Sequence, residues 1–509
     1  MKIVKNDFAV FVKFLFIILF ALSQTSSIYS NFDRNGGGSE QIRYQSPTQD
    51  VINLQGRIDD ILAEYDSFHY DYGLMVVSLD NPQILYDFQA DKPFVPASNL
   101  KIVTSAAAFD LLGADYRWVT EFYLNNSANL YIRPSGDPTW NNSYKAGMIN
   151  QVTKSIADSL RINGFSTLNN IIIDPGTFQN NTLGYGWRES NRMATYSAKS
   201  SIMAFNDNAI QVQINPTTVG EQASINLYPV NTGFTVINNV TTTSSRNQQN
   251  LTFHTDPESN RITVSGTIWV NSRTQYRSLA IPRPDLYALD ALREKLEEFD
   301  ITIRGDIYYH TLSGRDIILN NYTHYFSLFS PPLYEITNEI NKRSNNFIAN
   351  QLFLTISEQS WEALGSENLI KQWLTRYNVP TEGLSMYDGS GLSYLNHITP
   401  EILLNVLRIM AKSPSASVYQ HTLAISGVDG TIRNAFQEPI LNRRVFAKTG
   451  YISGARGLSG YIWTDDGELL AFSFLVNKDD SQISNFNRII ERILVELTEF
   501  SREDLMMGG

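Results

Sequence analysis

PASNLKIVTSAAAFDLLG, residues 96–113, is the stretch on which the reading turns. After Pro96 it offers a cap-competent Ser98, then an Ala-rich apolar helical pattern that stops at Gly113, so the sequence predicts a helix with Ser98 at its N-terminus. Ser98 and Lys101 stand three apart and therefore share a helix face. A serine hydroxyl is a weak nucleophile that needs a base within hydrogen-bond reach, and an amine serves only when neutral, a state favoured by desolvation and by a second cation. Alone, the pattern S-x-x-K carries little information, since chance supplies it about once or twice in a chain of this size.

Upstream, VINLQGRIDDILAEYDSF (51–68) has apolar residues at helical spacing, whereas YGLMVVSLD (72–80) and QILYDFQA (83–90) are β-rich runs separated by the turn signal Asp80-Asn81-Pro82. Downstream, roughly 116–324, the chain turns to Asn, Thr and Ser with short alternating runs such as ASINLYPV and RITVSGTIWV, which reads as inserted β-rich structure with few long helices. Helical patterns return in YEITNEINKRSNNFIANQLFLTI (334–356) and in PEILLNVLRIMAKS after the cap Thr399. The end alternates strands, RRVFAKTG, GLSGYIWT and ELLAFSFLVN, with a final helix FNRIIERILVELTEF. A sheet flanked by helices and built from both ends of the chain is the economical architecture.

At 509 residues with 42% hydrophobic and 12% aromatic content, the chain can bury large cores and has room for two or three domains. Lys2, Lys5 and Lys13 precede an apolar run, Phe14 to Leu22, followed by small polar residues: the order of a secretory signal, here taken as residues 1–30. Nine apolar residues fall short of the roughly 20 a spanning helix needs. The expected location is therefore exported, periplasmic or cell-envelope, with membrane contact only through that signal. Residues 31–47, rich in Gly, Ser, Asn and Gln, read as a flexible linker. A net charge of -11 makes nucleic acid a poor partner. With no cysteine, disulfides, thiolate clusters and Cys nucleophiles are excluded.

Two further elements fall in the order that a Ser-Lys site requires. Ser344-Asn345-Asn346 supplies S-x-N within a helical segment, and Lys448-Thr449-Gly450 supplies K-T-G at the end of a β-rich run. S-x-N is weak alone, because it recurs at Ser127, Ser224, Ser245 and Ser366. K-T-G occurs once, and its glycine permits close approach to a strand backbone. The competing chemistries find little: Gly389-Ser390-Gly391 is no G-x-S-x-G elbow, His397 and His421 read as loop or surface residues, and no H-E-x-x-H is present. Glu401 to Asn405 matches the E-x-x-L-N of deacylating β-lactamases, but Thr399-Pro400-Glu401 is also an ordinary helix start.

Together, PASNLKIVTSAAAFDLLG, KRSNNF, YDGSGLS and AKTGYISG resemble the class C penicillin-binding proteins, the D-Ala-D-Ala carboxypeptidase/endopeptidase family. The likeness continues through YRWVTEFYL, SGDPTW, SAKSSIMAFNDNAIQV, SPPLYEI, LNHITPE and GVDGTIR. It implies an α/β (α+β) penicillin-recognising, transpeptidase/β-lactamase-like fold with two nested β-rich inserted domains. The catalytic domain would take 48–115 and 325–500, one insert 116–205 and 281–324, and the nested insert 206–280. By the same resemblance Ser98 is the nucleophile, Lys101 its base, Ser344 a proton relay, Asn346 a holder of the substrate amide and Lys448 a nearby positive charge. Lys448 and Thr449 would bind the terminal carboxylate, and the N–H groups of Ser98 and Tyr451, beyond Gly450, would form the oxyanion hole. Peptidoglycan stem peptides and β-lactams are the implied ligands, with no cofactor and no metal. One departure stands out: S-G-L-S is commonly followed by arginine in the family, but here by Tyr394. In relatives that arginine pairs with a free carboxylate on the stem peptide's diamino acid, and Asp174 and Phe178 are the candidates for the residues meeting its ammonium. A neutral phenol suggests a weaker preference for the free carboxylate, unless Arg456 or His397 supplies the charge.

Overall fold

The computed structural model describes residues 46–66, 71–176, 184–229, 233–358, 365–478 and 485–502. The export signal, nearly all of the linker and Phe178 lie outside them. Among the described residues no helix is long and apolar enough to cross a membrane.

In chain order the strands are β1 (Asp71–Ser78), β2 (Gln83–Phe88), β3 (Val119–Leu124), β4 (Leu130–Arg133), β5 (Thr167–Leu168), β6 (Ile171–Ile173), β7 (Ala209–Asn215), β8 (Ser224–Tyr228), β9 (Thr235–Thr243), β10 (Asn250–Thr255), β11 (Arg261–Trp269), β12 (Gln275–Ala280), β13 (Thr302–Ile303), β14 (Ile307–Tyr309), β15 (Thr323–Phe329), β16 (Ala424–Ile425), β17 (Val445–Ile452), β18 (Ala455–Trp463) and β19 (Leu469–Asn477). Six of them form one sheet in the order β16-β17-β18-β19-β1-β2, so the first strand of the chain lies beside the last. Side chains alternate across a strand, and here both faces are covered. From β1, Leu74 and Val76 join the core formed with helices Gln49–Asp66 and Phe486–Thr498, through Leu54, Ile58, Ile489 and Ile493. Met75 and Val77 point the other way, into the core shared with helices Leu100–Leu111, Leu333–Asn341, Asn346–Glu358 and Pro400–Lys412. The expected helix-flanked sheet is therefore the frame of the molecule.

Between β2 and β16 the chain builds a five-stranded sheet, β14-β6-β4-β3-β15, two three-stranded sheets, β12-β7-β8 and β10-β11-β9, and the two-stranded pair β13-β5. Their apolar faces merge into one core containing Phe122, Ile156, Ile210, Val240, Ile262 and Leu292. The β-rich reading missed how much helix this region holds: Met148–Ile162 and Pro284–Glu297 both pack into that core. Strands β7 to β12 fall within 206–280, while β15 keeps pairing with β3 as far as Phe329, past residue 324.

Two local departures from the sequence reading matter for function. Ser98 does not cap a helix: Ala97–Asn99 form a 3-10 turn, Asn99 precedes helix Leu100–Leu111, and Ser98 Oγ is engaged elsewhere. And 334–356 is not one helix. It breaks between Asn341 and Asn346, where Ser344 takes φ +59°, a left-handed conformation that side chains other than glycine rarely adopt.

Candidate active site

The break brings S-x-N to the turn that carries Ser98. Lys101, one turn along its helix, places Nζ 2.9 Å from Ser98 Oγ, 2.7 Å from Asn346 Oδ1 and 2.7 Å from the carbonyl of Ser390. Ser344 donates its hydroxyl to Ser98 Oγ at 3.1 Å, and Lys448 Nζ donates to Ser344 Oγ at 3.0 Å and to the Thr449 carbonyl at 2.9 Å. Thus Ser98, Lys101, Ser344, Asn346 and Lys448, which span 350 positions of sequence, form one hydrogen-bonded cluster. Ser98 and Ser344 remain partly exposed, whereas both lysines are fully buried.

Burial decides the charge state of that cluster. Desolvation holds Lys101 well below the usual lysine value, the Lys448 ammonium pushes it further the same way, and Asp388 opposes both. Lys448 is brought down to about 7 by burial. Lys101 Nζ has three oxygen partners, Asn346 Oδ1, the Ser390 carbonyl and Ser98 Oγ; once the amine is neutral, two N–H groups can serve the first two and its lone pair can receive the Ser98 proton.

The K-T-G strand lies against the turn that carries Ser98 because Gly450 has no side chain. A Cβ there would stand 2.3 Å from Asn99 Nδ2 and 2.7 Å from the Pro96 carbonyl oxygen. The close approach is therefore to the protein's own backbone. Strand β16 pairs with β17 only at Ala447 and Phe446, so among the described residues the outer edge of β17 from Lys448 onward has no strand beside it. Thr449 Oγ1 donates to Thr431 Oγ1 at 2.8 Å, and Tyr451 is exposed with the Arg456 guanidinium over its ring at 3.5 Å. Asn346 donates Nδ2 to the Tyr196 carbonyl at 3.0 Å, which leaves its second N–H for a ligand.

Several supporting residues escaped sequence reasoning. Asp388 is buried and accepts backbone N–H bonds from Ser390, Gly391 and Ser393 at 2.9, 2.6 and 2.7 Å, and the Trp187 indole N–H at 2.7 Å. It thereby fixes the Ser390 carbonyl that holds Lys101. The signal is present in the sequence, as an Asp followed by a Gly-Ser-Gly turn, Asp388 to Gly391. Lys342 Nζ pairs with Asp429 at 2.6 Å, tying S-x-N to the loop that carries Thr431.

The remaining candidates are held by other contacts. Asp174 is tied into the five-stranded sheet by the Tyr131 hydroxyl at 2.6 Å and Thr311 Oγ1 at 3.0 Å, with Arg133 Nε at 3.9 Å. Tyr394 is half-buried, and the Arg188 guanidinium lies over its ring at 4.1 Å. The cation beside Tyr394 is therefore Arg188. It comes from the inserted region rather than from Arg456, which covers Tyr451, or His397, whose Nδ1 meets the Leu395 carbonyl at 2.9 Å. Glu401 begins its helix beside Thr399, which accepts the Ile402 N–H at 3.1 Å, and its charged neighbours are Asp87 and Asp91. Those contacts are the ones a helix start makes.

A protein-family model described as the D-Ala-D-Ala carboxypeptidase 3 (S13) family matches residues 54–497. A D-alanyl-D-alanine carboxypeptidase of Actinomadura sp. (strain R39) is 27% identical over 485 residues, covering 90% of this chain and 87% of its own. A D-alanyl-D-alanine carboxypeptidase DacB of Haemophilus influenzae is 24% identical, with 80% and 85% covered. Among solved structures, penicillin binding protein 4 (dacB) from Haemophilus influenzae superposes with a TM-score of 0.73 at 22% identity, covering 87% of this chain and 99% of that one, which shows the fold.

Proposed function

The chain belongs to the D-Ala-D-Ala carboxypeptidase 3 (S13) family, a family of serine peptidases, and from that premise we propose that it cleaves peptidoglycan stem peptides through an acyl-enzyme on Ser98. The observation that carries this reading is Lys101 itself, fully buried, held well below the usual lysine value and with Nζ 2.9 Å from Ser98 Oγ.

In this mechanism Lys101 takes the Ser98 proton as Oγ attacks the carbonyl of the penultimate D-alanine. The N–H groups of Ser98 and Tyr451 receive the oxyanion, where one donor is worth about 2.7 to 4 kcal/mol of barrier. Ser344 relays to the departing amine the proton that Lys101 took from Ser98, which leaves Lys101 neutral again to accept a proton from the water of the next step, and Lys448, within 3.0 Å of Ser344 Oγ, supplies positive charge at that point. Thr449 and Lys448 hold the terminal carboxylate. Asn346 offers its second N–H to the substrate amide, which runs beside the outer edge of β17 as an added strand would. Water then cleaves the ester.

A β-lactam presents a strained amide to the same serine, so penicillin acylates Ser98 and stays attached. Export through the signal at 1–30 puts the enzyme where peptidoglycan is. The test joins two assays. Intact mass and peptide mapping after incubation with penicillin read the adduct, which is expected on Ser98 and absent in Ser98→Ala. Release of D-alanine from a pentapeptide reads turnover. A stable adduct on another serine overturns the assignment, as does a protein that labels but releases no D-alanine or one that clears penicillin rapidly.

A further inference from the structure

Ser344 holds a conformation that its own sequence does not favour, and part of the means of holding it comes from the inserted region. The turn Asn206-Asp207-Asn208 has three successive left-handed residues, at φ +56°, +54° and +49°, none of them glycine. Such conformations cost of order 1–3 kcal/mol each and persist only where the surroundings over-determine them. Here they do. Asn206 N donates to the Trp140 carbonyl at 2.9 Å, the Ile281 N–H donates to the Asn208 carbonyl at 2.9 Å, and Asn208 Nδ2 donates to the Lys199 carbonyl and Ser201 Oγ, each at 2.8 Å.

What the turn presents is a carboxylate aimed at the catalytic loop. Asp207 Oδ2 accepts from Asn345 Nδ2 at 3.1 Å, and Oδ1 accepts from Asn141 Nδ2. Burial raises the Asp207 carboxyl to about 6, with Glu339 adding to the rise, so at neutral pH it is an anion with two amide donors turned toward it. Asn345 is the middle residue of S-x-N. Its N–H donates to the Glu339 carbonyl at 3.0 Å, and its Oδ1 accepts from Ile348 N at 2.9 Å, capping helix Asn346–Glu358. The bond to Asp207 completes a three-point hold on the residue next to Ser344.

We propose that Asp207 is a positioning residue for the reaction at Ser98, acting through Asn345 to keep the Ser344 hydroxyl between Ser98 Oγ and Lys448 Nζ. It touches no reacting atom. The inference rests on the reading of Ser344 as the proton relay, and the test separates the two. A 1 Å misplacement of a catalytic group costs on the order of a hundredfold in rate. Loss of one of three anchors is therefore expected to slow penicillin acylation by about tenfold or more while leaving its non-covalent affinity within about twofold.

The experiment measures acylation rate and pre-acylation binding by stopped-flow, with circular dichroism as the check on folding, for Asp207→Ala, Asn345→Asp and the double variant Asp207→Asn/Asn345→Asp. Asn345→Asp keeps the cap on Ile348 but sets acid against acid. The double variant exchanges donor and acceptor and keeps an oxygen for Asn141, so its acylation rate is expected to recover to within about threefold of the parent. In a Ser344→Ala background none of the three changes is expected to slow acylation further. If Asp207→Ala acylates at the parental rate, or the exchanged pair is no faster than either single variant, the positioning role is wrong. If Ser344→Ala alone acylates at the parental rate, the relay reading fails instead.

Discussion

Replacing Lys448 by methionine should make the protein more stable, and the amount depends on pH in a way that identifies the cause. The lysine is fully buried, and burial takes it from 10.5 to about 7. At about 1.4 kcal/mol per tenfold, keeping it charged inside the protein costs about 5 kcal/mol more than keeping it charged in the unfolded chain. Below pH 7 both states carry the proton and the native state bears the whole cost. Between about 7 and 10.5 the unfolded chain holds a proton that the native protein has released, so native stability rises with pH through that window. Lys448→Met removes the charge, and also removes the donors to Ser344 Oγ and the Thr449 carbonyl, at about 1 kcal/mol each. The net expectation is a variant about 3 kcal/mol more stable at pH 6, with the advantage shrinking by pH 9, and with acylation lost. Urea midpoints followed by circular dichroism at the two pH values measure it. A variant less stable than its parent at pH 6, or an advantage equal at both pH values, refutes the reasoning.

Lys101→Ala should abolish penicillin labelling while native circular dichroism persists; near-normal labelling in a folded variant would remove the Ser-Lys mechanism. Gly450→Ala forces β17 away from the Pro96 carbonyl and Asn99, which costs about 1–3 kcal/mol of overpacking and should slow acylation by about tenfold or more; a parental rate would show that the turn yields freely. Arg188→Ala, with Tyr394 left in place, should lower kcat/KM for muropeptides bearing a free diamino-acid carboxylate by about tenfold relative to amidated ones, because it removes the charge stacked on that ring. An unchanged ratio would show that Arg188 packs against Tyr394 without facing substrate.

The parts of the site that sequence displays are those whose chemistry is local. Ser98 and Lys101 stand three apart and meet at 2.9 Å across a 3-10 turn and the helix start, Thr399 caps a helix with its own hydroxyl, and the strands from Val445 to Asn477 declare themselves by β-rich apolar runs. The parts it conceals are imposed from a distance. Nothing around Ser344 announces a left-handed residue, because an apolar pattern at helical spacing runs through it; the break is held by Glu339 and by Asp207, 137 positions before it. Arg188 reaches Tyr394 across a wider gap, 206 positions. The helix Met148–Ile162 was legible in principle, since Met148, Ile149, Ile156 and Leu160 share a face, but its polar neighbours masked the period.

The placement of β1 beside β19 has a further consequence, which concerns time. The turn that carries Ser98 is made early in synthesis, yet β1 becomes an interior strand only when Leu469–Asn477 is available to pair with it, nearly 400 residues later. Non-local pairing of this kind is slow, and until it occurs the strand edges stay open. A nascent chain that ends before Val445 therefore carries Ser98 and Lys101 without the strand that presents Lys448, so the cluster can close only once nearly the whole chain has been made.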